Sequence, residues 1–129
     1  MITARYATEQ EAATAIALAR GWRQEERWSV AWASECQFWV DGDHPVVEVH
    51  EFFPFLGDRI IAYMHQYSLN IKPTFRIVKG NPVRHWRVAS SHGPYQKAFE
   101  SPLMWDAVAQ WLVGHYEFTE ILKQKVDLL

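Results

Sequence analysis

Polar and apolar positions alternate in blocks along the chain, and the period of each block predicts an element. Thr8-Glu9-Gln10-Glu11 has the form of a capping box, with Thr8 set to accept from the Glu11 N–H while Glu11 reaches back. An Ala-rich helix should follow to about Arg20, where Gly21 stops it. Its inner face is small-sided (Ala12, Ala13, Ile16) and should pack closely. From Trp28 the period becomes two. Trp28, Val30, Trp32, Cys36, Phe38 and Val40 share one parity that only Ser34 interrupts, which predicts one half-buried strand bent near Ser34. Asp41-Gly42-Asp43-His44-Pro45 reads as a turn, Val46 to Phe52 as a second strand ended by Pro54, and Leu56 to Leu69 as a helix. Beyond Pro73, Thr74–Val78 and Val83–Ser90 read as strands around the turn Lys79-Gly80-Asn81-Pro82. Ser91 to Glu100 reads as a loop. Ser101 should cap a helix with Pro102 in its first position, carrying Met104, Ala107, Val108, Trp111 and Leu112 on one stripe and closed by Gly114. A last helix would present Phe118, Ile121, Leu122, Val126 and Leu129.

The predicted order is α-ββ-α-ββ-α-α, an α+β fold. The simplest assembly is a four-stranded antiparallel sheet with helices packed on it. Phe38-Trp39-Val40, Gly42 and Pro45-Val46 stand against Phe75-Arg76-Ile77, Gly80 and Pro82-Val83, which suggests a ββα pseudo-repeat. A chain of 129 residues suits one domain. Apolar residues at 49% and charged residues at 22% are a globular balance, and seven Trp imply either a Trp-built core or Trp facing a partner. The lone Cys36 rules out an internal disulfide and reads as a small buried hydrophobe. Neither a signal peptide nor a membrane-length apolar run is evident, so a cytoplasmic location is expected, with no membrane partner.

Charge changes this picture most. Residues 25–58 hold eight acids and one base, and residues 59–99 hold seven bases and no acid, within a chain whose net charge is only −2. If the acidic and basic hairpins were neighbours in one sheet, opposite charges would pair across strands and pin the register. If they face different ways, the basic hairpin offers a positive patch to an anionic partner. Self-association, acidic hairpin against basic hairpin, lies between the two. Within the basic hairpin, alternation sets Trp86 with Val88 toward the core and His85 with Arg87 outward. Arg76, Lys79, Arg84, His85 and Arg87 are therefore the candidate contacts, and Trp39, on the polar parity of its strand, is a candidate apolar anchor or else a core residue. An acidic protein surface fits the patch better than nucleic acid, because no stripe of spaced aromatics accompanies it.

Catalytic and metal motifs are absent: no phosphate loop, dinucleotide fingerprint, nucleophile elbow or paired-Cys site. Glu48, His50, Glu51 and His65 come nearest to a ligand set but follow no recognised spacing, so neither metal nor cofactor is expected. His92 with Glu100 is the one acid–base pair the 91–100 loop offers, and nothing in the sequence orients it. An enzyme is disfavoured.

The segment Gly57 to Tyr116 resembles small phage-encoded proteins of the ABA-sandwich kind. The resemblance rests on Ile60-Ile61, Ser68-Leu69, Trp86-Arg87-Val88, Gly93, Ser101-Pro102-Leu103 and Ala107. It implies a phage or mobile-element accessory protein, an inhibitor or sequestering protein for a host factor, with no catalytic residues. The leading expectation is thus a non-enzymatic protein docking an acidic or anionic partner through its second hairpin. The alternative is a small-ligand binder, or a small enzyme, with a pocket near the 91–100 loop.

Overall fold

A computed structural model describes residues 2–127, and the side chains of all of these except 52–58. The elements are α1 (Glu9–Ala19), β1 (Arg23–Ser29), β2 (Ser34–Asp41), β3 (His44–Glu48), α2 (Val49–Gln66), β4 (Leu69–Val78), β5 (Asn81–Ser90), β6 (Phe99–Ser101) and α3 (Met104–Asp127).

The first helix forms as its sequence dictates. Thr8 Oγ1 accepts from the Glu11 N–H at 3.1 Å, while the Glu11 carboxylate takes the Ala7 N–H at 3.0 Å. At the other end Gly21 adopts φ +80°, and the Gly21 and Trp22 N–H groups reach back to the Leu18 and Ala17 carbonyls, a Schellman stop.

The strands depart from expectation. The fold is α+β, but it holds two separate three-stranded antiparallel sheets, β1-β2-β3 and β4-β5-β6, in place of one four-stranded sheet. The order becomes α-βββ-α-βββ-α, which removes the ββα repeat in the form expected. Two departures from the expected pattern produce the difference, and a third shifts a boundary. The supposed bent strand from Trp28 to Val40 is two strands, joined by a turn in which Ala33 takes φ +49°. The alternating row ran through that turn by coincidence, and Val30 within it is 89% exposed. The loop at 91–100 contains β6, which pairs with β5 at Val88↔Phe99, Arg87↔Glu100 and Trp86↔Ser101. Pro73 lies inside β4 rather than before it, on an edge strand where a missing N–H is tolerated.

Helix boundaries shift for related reasons. Helix α2 begins at Val49 and runs through Pro54, so the second strand stops at Glu48. Ser101 belongs to β6, and α3 starts two residues beyond Pro102. Gly114 does not end a helix: α3, 24 residues long, runs through it, so the two expected helices are one. A Cβ on Gly114 would overlap the Tyr95 phenol, 2.9 Å from Cζ, so the position is open for a ring rather than for a turn. The stripe expected to close at Leu129 lies at that residue outside the described residues.

One core joins the two sheets. Ala12, Ala13, Ile16 and Ala17 of α1 face Ala107, Val108, Trp111 and Leu112 of α3, with Trp22, Trp39, Tyr63, Leu69 and Val88 around them. Alanines on both helices allow α1 and α3 to approach closely. The N-terminal segment is fastened by buried Asp106, whose carboxylate accepts from the Arg5 and Tyr6 N–H groups (3.2 and 2.7 Å) and from Gln110 Nε2 (2.7 Å). No helix among the described residues is long and apolar enough to cross a membrane.

Candidate functional site

The β4–β5 hairpin is a ten-residue ladder on each side, turned by Lys79 and Gly80 at φ +51° and +79°. Two positive φ values in a two-residue loop match the right-handed twist of the flanking strands. Register and alternation divide its side chains between two faces. One carries Leu69, Ile71, Pro73, Phe75 and Ile77 with Pro82, Arg84, Trp86 and Val88. Its base lies on the core, but toward the tip Phe75 and Ile77 are 65% and 71% exposed. Arg84 lies over this apolar tip, its Cζ 5.7 Å from the Phe75 ring centre and 5.8 Å from that of Trp86.

The other face carries Lys72, Thr74 and Arg76 with His85 and Arg87, and Glu100 from β6. Lys72 stands directly opposite Arg87, which stands directly opposite Glu100. The Glu100 carboxylate, however, is taken by Arg76, through Nε at 3.0 Å and Nη2 at 2.7 Å. Arg76 and Glu100 come from the two outer strands, so their ion pair crosses over β5 on the face that carries His85. His85 is accordingly 2% exposed. Lys72 and Arg87 remain exposed side by side as like charges.

Of the six residues expected to meet a partner, Lys79, Arg84 and Arg87 are exposed and gathered on the second hairpin. Arg76 is exposed but neutralised by Glu100. Two expectations need correction. His85 is covered, for the reason just given. Trp39 is a core residue, 1% exposed, because the register shift between Trp39 and Val40 turns both consecutive side chains inward. Lys72 was missed because Pro73 was read as the strand boundary. The acid-free run that contains it was the available signal.

The two charge readings are separated by topology. β2 and β3 pair with neither β4 nor β5, so acidic and basic hairpins do not pin one another across a ladder. Residues 23–48 hold six acids against two bases, and residues 69–101 hold six bases against one acid.

A second site lies beside the 91–100 loop. A cleft of about 260 Å³ opens between the α2–β4 junction, the 92–95 segment and α3. Trp111 and His115 stack at 4.9 Å and 10°, with Tyr67 5.5 Å and Tyr95 5.6 Å from Trp111 on either side. Trp111 Nε1 and His115 Nδ1 are buried and make no hydrogen bond. Burial holds the His115 imidazole below its ordinary value. At the rim Ser68 is held at φ +53°, its carbonyl receiving the Ser91 N–H and hydroxyl, both at 3.1 Å. Trp111 and His115 share one face of α3 at i, i+4, while Tyr67 and Tyr95 come from the segments beyond α2 and before β6, which no local spacing links to them. The His92–Glu100 pair is not formed, since His92 lines the cleft while Glu100 serves Arg76.

Glu48, His50 and Glu51 do come together, their ligand atoms all within 4.8 Å of one another, without His65. Cys36 is half-buried, its Sγ 3.7 Å from Ser34 Oγ.

No family model matches this chain, and no curated protein or solved structure matches it either.

Proposed function

We propose that the chain is a non-enzymatic binding protein that docks an acidic protein surface through the β4–β5 hairpin. The observation that carries this reading is Lys72 opposite Arg87. Like charges directly opposite in a ladder destabilise it. Glu100, placed to relieve them, is drawn away by Arg76. Among the described side chains no carboxylate relieves these two cations, an arrangement suited to carboxylates supplied from outside. Arg84, Phe75 and Ile77 on the opposite face offer an apolar and aromatic contact with a charged head, the composition of interface anchors. A lysine on an edge strand also discourages edge-to-edge pairing, but that role does not call for Arg87 across from it. The biological setting that fits is an accessory protein of a phage or mobile element, restraining a host factor.

The test uses the charge-reversed pair Lys72→Glu/Arg87→Glu beside the native chain. Both are used to capture protein from lysate with and without nuclease, and are titrated with a labelled poly-glutamate peptide and with single-stranded DNA. A nuclease-resistant protein held by the native chain and lost by the folded variant, with peptide bound in preference to DNA, is the expected result. Equal capture by both proteins would overturn the reading, and nuclease-sensitive capture would replace it with nucleic-acid binding.

The unpartnered Trp111 Nε1 and His115 Nδ1 favour a second reading, a small flat ligand in the aromatic cleft. Lined, among the described residues, by no Asp, Glu, Lys or Arg, the cleft suits an aromatic amide. Such compounds should raise the melting temperature of the native chain and not that of Tyr95→Ala. No shift across a panel would exclude it.

A further inference from the structure

Glu48 is the last residue of β3 and the residue preceding the first turn of α2, a position where the shorter Asp, Asn, Ser or Thr commonly caps the helix through its side chain. Here it makes no capping bond. Its carboxylate turns instead into sheet A and is only 8% exposed. Oε1 accepts from the buried Ser29 hydroxyl. Oε2 is buried and makes no hydrogen bond. A carboxylate oxygen left in this state is costly unless a positive charge serves it.

His50 Nε2 lies 3.0 Å from that oxygen, yet the pair does not have the geometry of a hydrogen bond. Two ligand atoms at ion-pair separation with no hydrogen bond between them can both serve a third point. Donors held at about 2.0–2.2 Å around one tetrahedral ion lie roughly 3.3–3.6 Å apart, a spacing that a small outward turn of the exposed His50 ring reaches. Glu51, in the first turn of α2, brings a third donor, and the three ligand atoms fall within 4.8 Å of one another. Glu48 is anchored through Ser29, as ligating carboxylates commonly are, while His50 and Glu51 are exposed and leave the solvent side open. The Trp32 ring meets His50 edge-on at 5.7 Å, and the Trp32 backbone N–H donates to Ser29 Oγ at 3.4 Å, so Ser29 touches both the Glu48 carboxylate and the main chain of the residue whose ring faces His50.

We propose that Glu48, His50 and Glu51 form a binding site for a divalent transition-metal cation of the zinc kind. One imidazole and two carboxylates are borderline-to-hard donors, which suit zinc and cobalt and hold manganese more weakly. The site lies on sheet A and its first helical turn, apart from the basic hairpin of sheet B, and does not depend on the docking reading.

The experiment titrates the metal-stripped full chain with zinc by calorimetry, and with cobalt by absorption and tryptophan fluorescence. Expected are one zinc per chain, cobalt bands of a low-coordinate site, and cobalt quenching that Trp32→Phe largely removes while leaving zinc affinity unchanged. Glu48→Gln and His50→Ala should each weaken zinc about tenfold or more. Should Glu48→Gln fail to fold, the exposed pair His50→Ala/Glu51→Gln decides the matter by the same loss. Absence of saturable binding would overturn the proposal and leave His50 alone as the partner of Glu48. Binding unchanged in His50→Ala/Glu51→Gln would also overturn it, placing the ion on other histidines.

Discussion

Lys72 and Arg87 show how one residue position can serve two ends at once. Their repulsion is a local cost of about 0.2–1 kcal/mol, the range of directly opposed strand pairs. Lys72→Glu converts the repulsion into attraction. It should therefore raise the urea midpoint while weakening docking, the opposite signs expected where stability yields to function. A midpoint that falls would show that Lys72 is there for the ladder. His115 is the other residue with a definite expectation. Burial lowers its folded-state value from the ordinary 6.5, so the unfolded chain binds the proton more readily. The stability this contributes is complete above about pH 6.5 and is lost as pH falls through the lower folded value. His115→Phe keeps a ring on Trp111 without a proton site. The difference between the two proteins, followed by urea unfolding from about pH 8 to about pH 5, should grow toward acid.

At the scale of the element, α3 decides the aromatic cleft. Gly114 in mid-helix sacrifices about 1 kcal/mol of helix propensity relative to alanine. What it gains is contact with Tyr95, a ring held 5.6 Å from Trp111 and 5.4 Å from Phe118 and so not free to step aside. Overpacking typically costs about 1–3 kcal/mol, more than the propensity gained. Gly114→Ala should thus be destabilising by roughly 1 kcal/mol in denaturant unfolding, and Tyr95→Ala should relieve it. If Gly114→Ala stabilises the chain on its own, the helix does not need the space. The β4–β5 hairpin makes the complementary point. Its ten-residue arms extend past the core, so the same alternation that buries Leu69 and Val88 at the base leaves Phe75 and Ile77 exposed at the tip.

Across the whole molecule, the small net charge of −2 conceals two sheets of opposite sign. Docking by the basic sheet should weaken as salt rises, because exposed charges are screened beyond about 8 Å at physiological ionic strength. The same asymmetry allows the acidic sheet of one copy to meet the basic sheet of another, head to tail. Light scattering at low and high salt distinguishes that outcome from a foreign acidic partner: a chain monomeric at both salts must find its carboxylates elsewhere.

Local signals carried part of this a long way. The first helix, its cap and its glycine stop were legible because each depends on neighbours within one or two turns. The turns at Gly42 and Lys79-Gly80 were legible for the same reason, and the segregation of charge along the chain needed no structure at all. Alternation failed where it ran unbroken through the turn at 30–33 and where the shift at Trp39/Val40 changed its phase, since parity carries no record of either. Trp39 is turned inward by that shift, whereas His85 stands on the face that alternation gave it and is buried there beneath the ion pair between the strands on either side. The division into two sheets, the Lys72–Arg87 opposition, the joining of Tyr67 and Tyr95 to Trp111 and His115, and the turning of the Glu48 carboxylate onto Ser29 were decided by tertiary structure alone. Each depends on which segments become neighbours, and that is set by burial of a shared core rather than by the residues next in sequence.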